Sequence, residues 1–149
     1  MKTKDIALIG VVAAVYVVLT VLLSPISYGA LQFRASEMLK PMALKGRQYV
    51  LALTVGLFIA NLYSPFAGGL ELIFMPTVCF VGGEIAYRLR NKRFIAIATY
   101  STIISCAVAL MLKILINAPY AVTAVCVFIP EIILMFIGGK VNDYIFFSS

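Results

Sequence analysis

The stretch GALQFRASEMLKP, residues 29–41, interrupts a chain that is otherwise almost continuously apolar. It places Arg34 and Glu37 three residues apart, a spacing at which helical geometry stacks two side chains on one face. The helical segment it belongs to, residues 33–45, would be only about 20 Å long and carries Pro41, so it cannot neatly cross a bilayer core of about 30 Å by itself. It is expected as a short or broken helix packed inside a bundle, where irregular backbone is tolerated.

Outward from this stretch, apolar runs and their breakers define five further segments, at residues 6–23, 47–63, 70–88, 93–116 and 120–139 or somewhat beyond. Of 149 residues, 63% are hydrophobic and only 12% are charged. With a mean hydropathy of +1.06 this composition excludes an ordinary soluble domain. The expectation is an all-α membrane protein of six transmembrane helices in one domain spanning residues 1–149, with no room for a soluble catalytic unit. The opening run from Ile6 to Leu23 is 18 residues long, longer than the core of a typical signal peptide, so it is read as a retained helix.

The connections alternate in kind. SPISYG, YSPFAGG and NAP contain proline or glycine, whereas LKGRQ and RLRNKR are basic. By the positive-inside rule both termini are then cytoplasmic. The inner side collects Lys2, Lys4, Lys40, Lys45, Arg47, Arg88, Arg90, Lys92, Arg93 and Lys140, and only Arg34 and Lys113 lie towards the outside. The net charge of +6 is therefore read as topology and not as a nucleic-acid footprint, because no exposed aromatics interleave the basic residues.

Several chemistries lack their residues. The chain has no histidine, and Cys79, Cys106 and Cys126 sit singly inside apolar runs, which argues against zinc, haem or a disulfide framework. It has no GxxxxGK[ST] loop for ATP and no Ser/His or Cys/His pair for nucleophilic catalysis. No enzyme, metal or cofactor is expected.

The charges near or within the spans remain to be explained, since such groups are costly and face the interior, a partner or a cavity. Arg34 and Glu37 open the second segment, Asn61 closes the third and Glu71 opens the fourth, so topology brings all four to the outer level, where they can line one pocket. Taken singly, each is as well explained by a side chain snorkelling to water. Glu131 lies about 16 Å into the sixth helix at helical rise, directly after Pro130, and needs a partner, a cavity or a proton. Glu84, four residues before Arg88, reads as an interfacial ion pair. Tyr28, Phe33, Tyr63, Phe66 and Phe74 gather near the outer level, as interfacial aromatics do. In the first helix Ala7, Gly10 and Ala14 form a small-residue stripe that lets another helix approach closely, inside the bundle or outside it.

The segments AAVYVVLTVLLSPISYGALQFRASEML, IANLYSP, GGLELIF and PEIILMFIGG together resemble the queuosine-precursor transporter family, QueT, whose members are substrate-binding S components of energy-coupling factor (ECF) transporters. The resemblance covers most of the chain, with YGALQFRASEML its most specific part. It implies an S-component-like bundle that captures a 7-deazaguanine such as 7-aminomethyl-7-deazaguanine from outside. It also implies partners, one shared transmembrane subunit and two ATPase subunits in the cell membrane. Carried over by position, the site would be Arg34, Glu37, Asn61, Glu71 and Glu131, and the stripe of Ala7, Gly10 and Ala14 would be the docking surface for the transmembrane subunit. The chain departs from the family pattern with Glu71 where Asp is typical, Pro130 where Gly is typical, and Ser105 and Cys106 about where a polar Asn is typical. A self-sufficient proton-coupled transporter or channel using Glu131, or a purely structural membrane subunit, are the competing readings.

Overall fold

A chain this apolar must satisfy its backbone hydrogen bonds within the protein, which in a bilayer leaves helices or closed barrels. The computed structural model describes residues 3–27 and 33–146, and all regular structure among them is helical. In order these are α1 (Thr3–Leu22), a single turn α2 (Ser24–Ser27), a 310 helix (Ala35–Lys45), α3 (Arg47–Asn61), a π turn (Leu70–Phe74) leading directly into α4 (Met75–Arg88), α5 (Arg93–Ile116) and α6 (Tyr120–Phe146). Four of these are long and apolar enough to cross a membrane: α1, the continuous segment Leu70–Arg88, α5 and α6. The 15 residues of α3 fall short of that length. The expected bounds at 93–116 match α5, whereas α6 runs on past 139. Its added turns are held by Asn142 and Asp143, which reach the 310 helix and Arg93, so the helix outlasts the apolar run.

The short second segment is the centre of the bundle, packed against α1, α3, α4, α5 and α6. Its winding follows from its composition and surroundings. Pro41 removes one backbone donor from the middle of the segment, and the residues from Ser36 to Leu44, apart from the half-buried Met38, are buried. At about 2.0 Å per residue, eleven residues wound as 310 extend about 22 Å, some 5 Å further than the same residues as α-helix. Three residues per turn also bring positions three apart into register, so Arg34, Glu37 and Lys40 form one file along its edge.

Two glycines set how closely the helices approach this centre. A Cβ on Gly138 would collide with the Met38 carbonyl oxygen and Cα, so only glycine lets α6 rest on the 310 backbone. One turn later Asn142 Nδ2 donates to that same Met38 carbonyl at 2.8 Å. Gly56 does likewise for α3 against α1, where a Cβ would meet Tyr16 Cβ at 2.9 Å and the Ala13 carbonyl at 3.1 Å. Close contact through small residues takes the place of the hydrophobic drive that lipid cannot supply. Helix α5 ends on Asn117 in the left-handed conformation, φ 54°, which asparagine tolerates better than most residues.

The small residues of α1 point away from this core. Val12, Ala13, Tyr16 and Thr20 are its buried side, and Ala7, Gly10 and Ala14 lie exposed on another. Around Gly10 there is open space, with no atom of another element within 4 Å of where a Cβ would sit.

Candidate functional site

Inside the bundle the five sequence-identified polar residues come together. Arg34, at the start of the 310 helix, reaches α3 through Nη1, which donates to Asn61 Oδ1 at 3.1 Å, and lies 3.6 Å through Nη2 from Glu71 Oε1 in the π turn. Asn61 Nδ2 in turn donates to the Glu71 carbonyl at 3.5 Å. The π turn has a local cause. Pro76 has no N–H to offer the Leu72 carbonyl, and the widened turn sets Glu71 into the interior, where it is 1% exposed. The Glu71 carboxylate accepts no hydrogen bond among the described residues and is balanced by the Arg34 charge.

The deeper half of the cluster is built on Lys40. Its ammonium pairs with Glu37 Oε2 one 310 turn earlier and with Glu131 Oε1 on α6 at 2.8 Å, and stands 5.4 Å from the centre of the Tyr100 ring. Glu37 Oε1 also accepts a hydrogen bond from the Tyr16 hydroxyl at 2.9 Å. Glu131 thus has the partner that its depth demanded, and α6 stays helical through Pro130. All three charged groups are nearly inaccessible, with Lys40 at 1%, Glu37 at 3% and Glu131 at 4%. A buried ion set of this kind is tolerated because each member gains a hydrogen bond as well as an opposite charge.

Lys40 corrects the sequence analysis, which counted it among the cytoplasmic basic residues. Five positions after Ala35, the first residue of the 310 helix, it belongs to the interior, because the 310 file carries it inward behind Arg34 and Glu37. The period of three in RASEMLK was the available signal. Tyr16 was also missed, and nothing distinguishes it in the sequence from the other aromatics of a membrane helix. Glu84 is a second correction: it pairs with Arg47 of α3 at 3.3 Å and not with Arg88, because α3 and α4 pack side by side and bring Arg47 across. Tyr28, and the start of the GALQFRASEMLKP stretch, lie outside the described residues.

Counted by charge, the site holds two cations, Arg34 and Lys40, and three carboxylates, Glu37, Glu71 and Glu131. Between Arg34, Glu37, Lys40 and Glu131, with Leu57, Val127 and other apolar side chains as walls, there is a cavity of about 10 Å³. Such a volume is on the order of one water molecule. The arrangement is a closed polar core, bridged across three elements by Lys40.

The profile of the QueT transporter family matches residues 6–145. The chain belongs to the QueT transporter family. A curated relative, the queuosine precursor transporter QueT of Lactococcus lactis subsp. cremoris (strain MG1363), is 35% identical over 160 aligned positions that cover 95% of this chain and 92% of the relative. No solved structure matches the chain. As a QueT family member the protein is a transporter and not an enzyme. The family match spans every helix of the cluster, from α1 with Tyr16 to α6 with Glu131.

Proposed function

We propose that this protein is the membrane-embedded S component of an ECF importer and captures a queuosine precursor, a 7-deazaguanine such as 7-aminomethyl-7-deazaguanine. The observation that carries the reading is the buried set of two cations and three carboxylates in a QueT family member. The guanine-like edge of such a base offers an N–H and an amine side by side, which one carboxylate accepts together, and its carbonyl takes a donor such as Asn61 or Arg34. Glu71, with no hydrogen bond to its oxygens among the described residues, suits the first role. An aminomethyl cation brings the one positive charge by which the cluster falls short of balance.

A base cannot enter a cavity of about 10 Å³ without displacing side chains. Lys40 is the group to move, because its ammonium occupies the carboxylates that a ligand cation would take. Ligand entry then exchanges one internal ion pair for an intermolecular one, so little net desolvation of charge is required.

The rest of the reading concerns topology and partners. Six spans with both termini cytoplasmic require α3 and the 310 helix, each about 22 Å long, to traverse the bilayer within the bundle. The exposed stripe of Ala7, Gly10 and Ala14 serves as the contact for the shared transmembrane subunit, and two ATPase subunits supply the energy.

Titration calorimetry on the purified chain tests the binding step, with 7-aminomethyl-7-deazaguanine expected to bind and adenine, which lacks the paired donors, expected to bind poorly. Equal affinity for the two bases would overturn the assignment. Proteoliposomes with and without the ECF subunits test the partner step. Uptake by the chain alone would favour the proton-coupled transporter instead.

A further inference from the structure

At the end of the bundle where the basic residues gather, a second cavity opens that the transport reading does not use. It has a volume of about 250 Å³ and lies between the end of the 310 helix, the turn joining α4 to α5, and the last turns of α6. Lys45, Arg90 and Arg93 line it, against one acid, Asp143. Both carboxylate oxygens of Asp143 are engaged, Oδ1 with Lys45 Nζ at 2.8 Å and Oδ2 with Arg93 Nη1 at 2.5 Å. The acid therefore braces two of the walls, and among the described lining residues three cations stand against this one carboxylate.

The third cation is held in place without an acid. The Arg90 guanidinium lies 4.3 Å from the centre of the Tyr87 ring and its Nη1 donates to the Tyr87 carbonyl at 3.4 Å. Among the described residues no carboxylate forms an ion pair with it. The same cavity receives the N-terminus of α5, a 24-residue helix whose capping position, Lys92, makes no side-chain hydrogen bond to the first turn. Its unpaired N–H groups and dipole add to the positive field. The floor beneath the guanidinium is glycine as well: a Cβ on Gly139 would lie 2.6 Å from Arg93 Nη2, so a larger side chain there would press on the guanidinium.

We infer that this cavity is a binding site for a phosphate group, with the headgroup of an anionic phospholipid as its occupant. Three cations and a helix N-terminus around one acid fit a phosphodiester, and basic pockets between membrane helices hold such headgroups. The surroundings favour a lipid over free phosphate. Phe94 and Ile95 on α5, and Val141 and Ile145 on α6, are exposed apolar residues on the two helices that frame the cavity, and they offer acyl chains a surface leading away from it. This inference needs only that this end of the bundle meets a leaflet, and it holds whether or not the queuosine-precursor reading does.

Native mass spectrometry of the full chain released from nanodiscs decides it. In a mixture of phosphatidylglycerol and phosphatidylcholine, the wild type should retain phosphatidylglycerol preferentially. Arg90→Gln should lower that retention by about fivefold, the share of one cation near a membrane surface. Arg90 sits in a turn and anchors no acid, so the variant is expected to fold, which its thermal unfolding in detergent checks. Gly139→Val, which fills the floor, should reduce retention independently. Adding inorganic phosphate at millimolar concentration distinguishes the sources: unchanged lipid retention supports the headgroup, and displacement of lipid by phosphate supports the same site with a soluble occupant. Equal retention of the two lipids by the wild type, or Arg90→Gln behaving as wild type, overturns the site.

Discussion

Replacing Lys40 by methionine should be among the most damaging single changes in this protein, and the structure says why. Methionine keeps most of the volume of the side chain but removes the one ammonium that serves both Glu37 and Glu131. All three groups are at most 4% exposed, so water cannot take over the task. Removing one partner of a buried ion pair costs about 3–5 kcal/mol, and here two carboxylates lose their counter-charge at once. Glu131→Gln should behave differently. It leaves Lys40 paired with Glu37, one charge against one, and the new amide oxygen still accepts from the ammonium, so the expected cost is about 1 kcal/mol. In the Glu131→Gln background Lys40→Met strands only one carboxylate, which retains its hydrogen bond from Tyr16, and the double variant should therefore recover at least about 1 kcal/mol relative to additivity. Equilibrium unfolding of the four proteins in mixed detergent micelles completes the cycle. If Lys40→Met cost the same in both backgrounds, or less than about 1 kcal/mol in either, the three-way bridge at the centre of the bundle would be refuted.

Four further outcomes are expected. Glu37→Gln and Glu71→Gln should each weaken binding of a 7-deazaguanine by about 1–3 kcal/mol in titration calorimetry, since each gives up charge and an acceptor towards the ligand; unchanged affinity in both would remove these acids from base recognition. Gly138→Ala should lower the yield of monodisperse protein and its unfolding midpoint, at or above the top of the usual range of about 1–3 kcal/mol for overpacking, because its Cβ would collide with the Met38 backbone; Gly10→Ala, with open space around it, should stay within about 0.5 kcal/mol of wild type. Gly10→Leu should preserve ligand binding and abolish uptake by the assembled transporter, whereas loss of binding in that variant would mean the stripe is not a docking surface. Single cysteines at Ala67 and Lys92 should label from opposite sides of the membrane, Ala67 from outside and Lys92 from inside, and labelling from the same side would sink the proposed topology.

Much of the architecture was legible before any coordinate. Runs of apolar residues broken by SPISYG, LKGRQ, YSPFAGG, RLRNKR and NAP place helices whose bounds hold to within a few residues except at the end of α6, and at α5 they coincide. This works because a backbone in lipid has no partner other than itself, and continuous apolar runs of this length satisfy it as helices. The same economy made the polar site visible: charges are so few near the spans that Arg34, Glu37, Asn61, Glu71 and Glu131 stand out, and the structure gathers all of them. The outward direction of the Ala7, Gly10 and Ala14 stripe, by contrast, was undecided, since small residues serve contacts inside and outside a bundle equally well.

Composition and local spacing therefore determined that this is a helical membrane protein with a short, charged second segment, because both depend on what each residue does with its own backbone and its near neighbours. Which charges neutralise one another was decided only in three dimensions. Lys40 and Glu131 are 91 positions apart, and Arg47 takes Glu84 although Arg88 is nearer in sequence. The 310 winding turns Lys40 inward, Gly138 admits α6 against Met38, and Glu131 arrives beside the ammonium as a result. Ion pairing falls off with distance through space and is indifferent to distance along the chain, so the balance of the site belongs to the packing of α6 on the 310 helix.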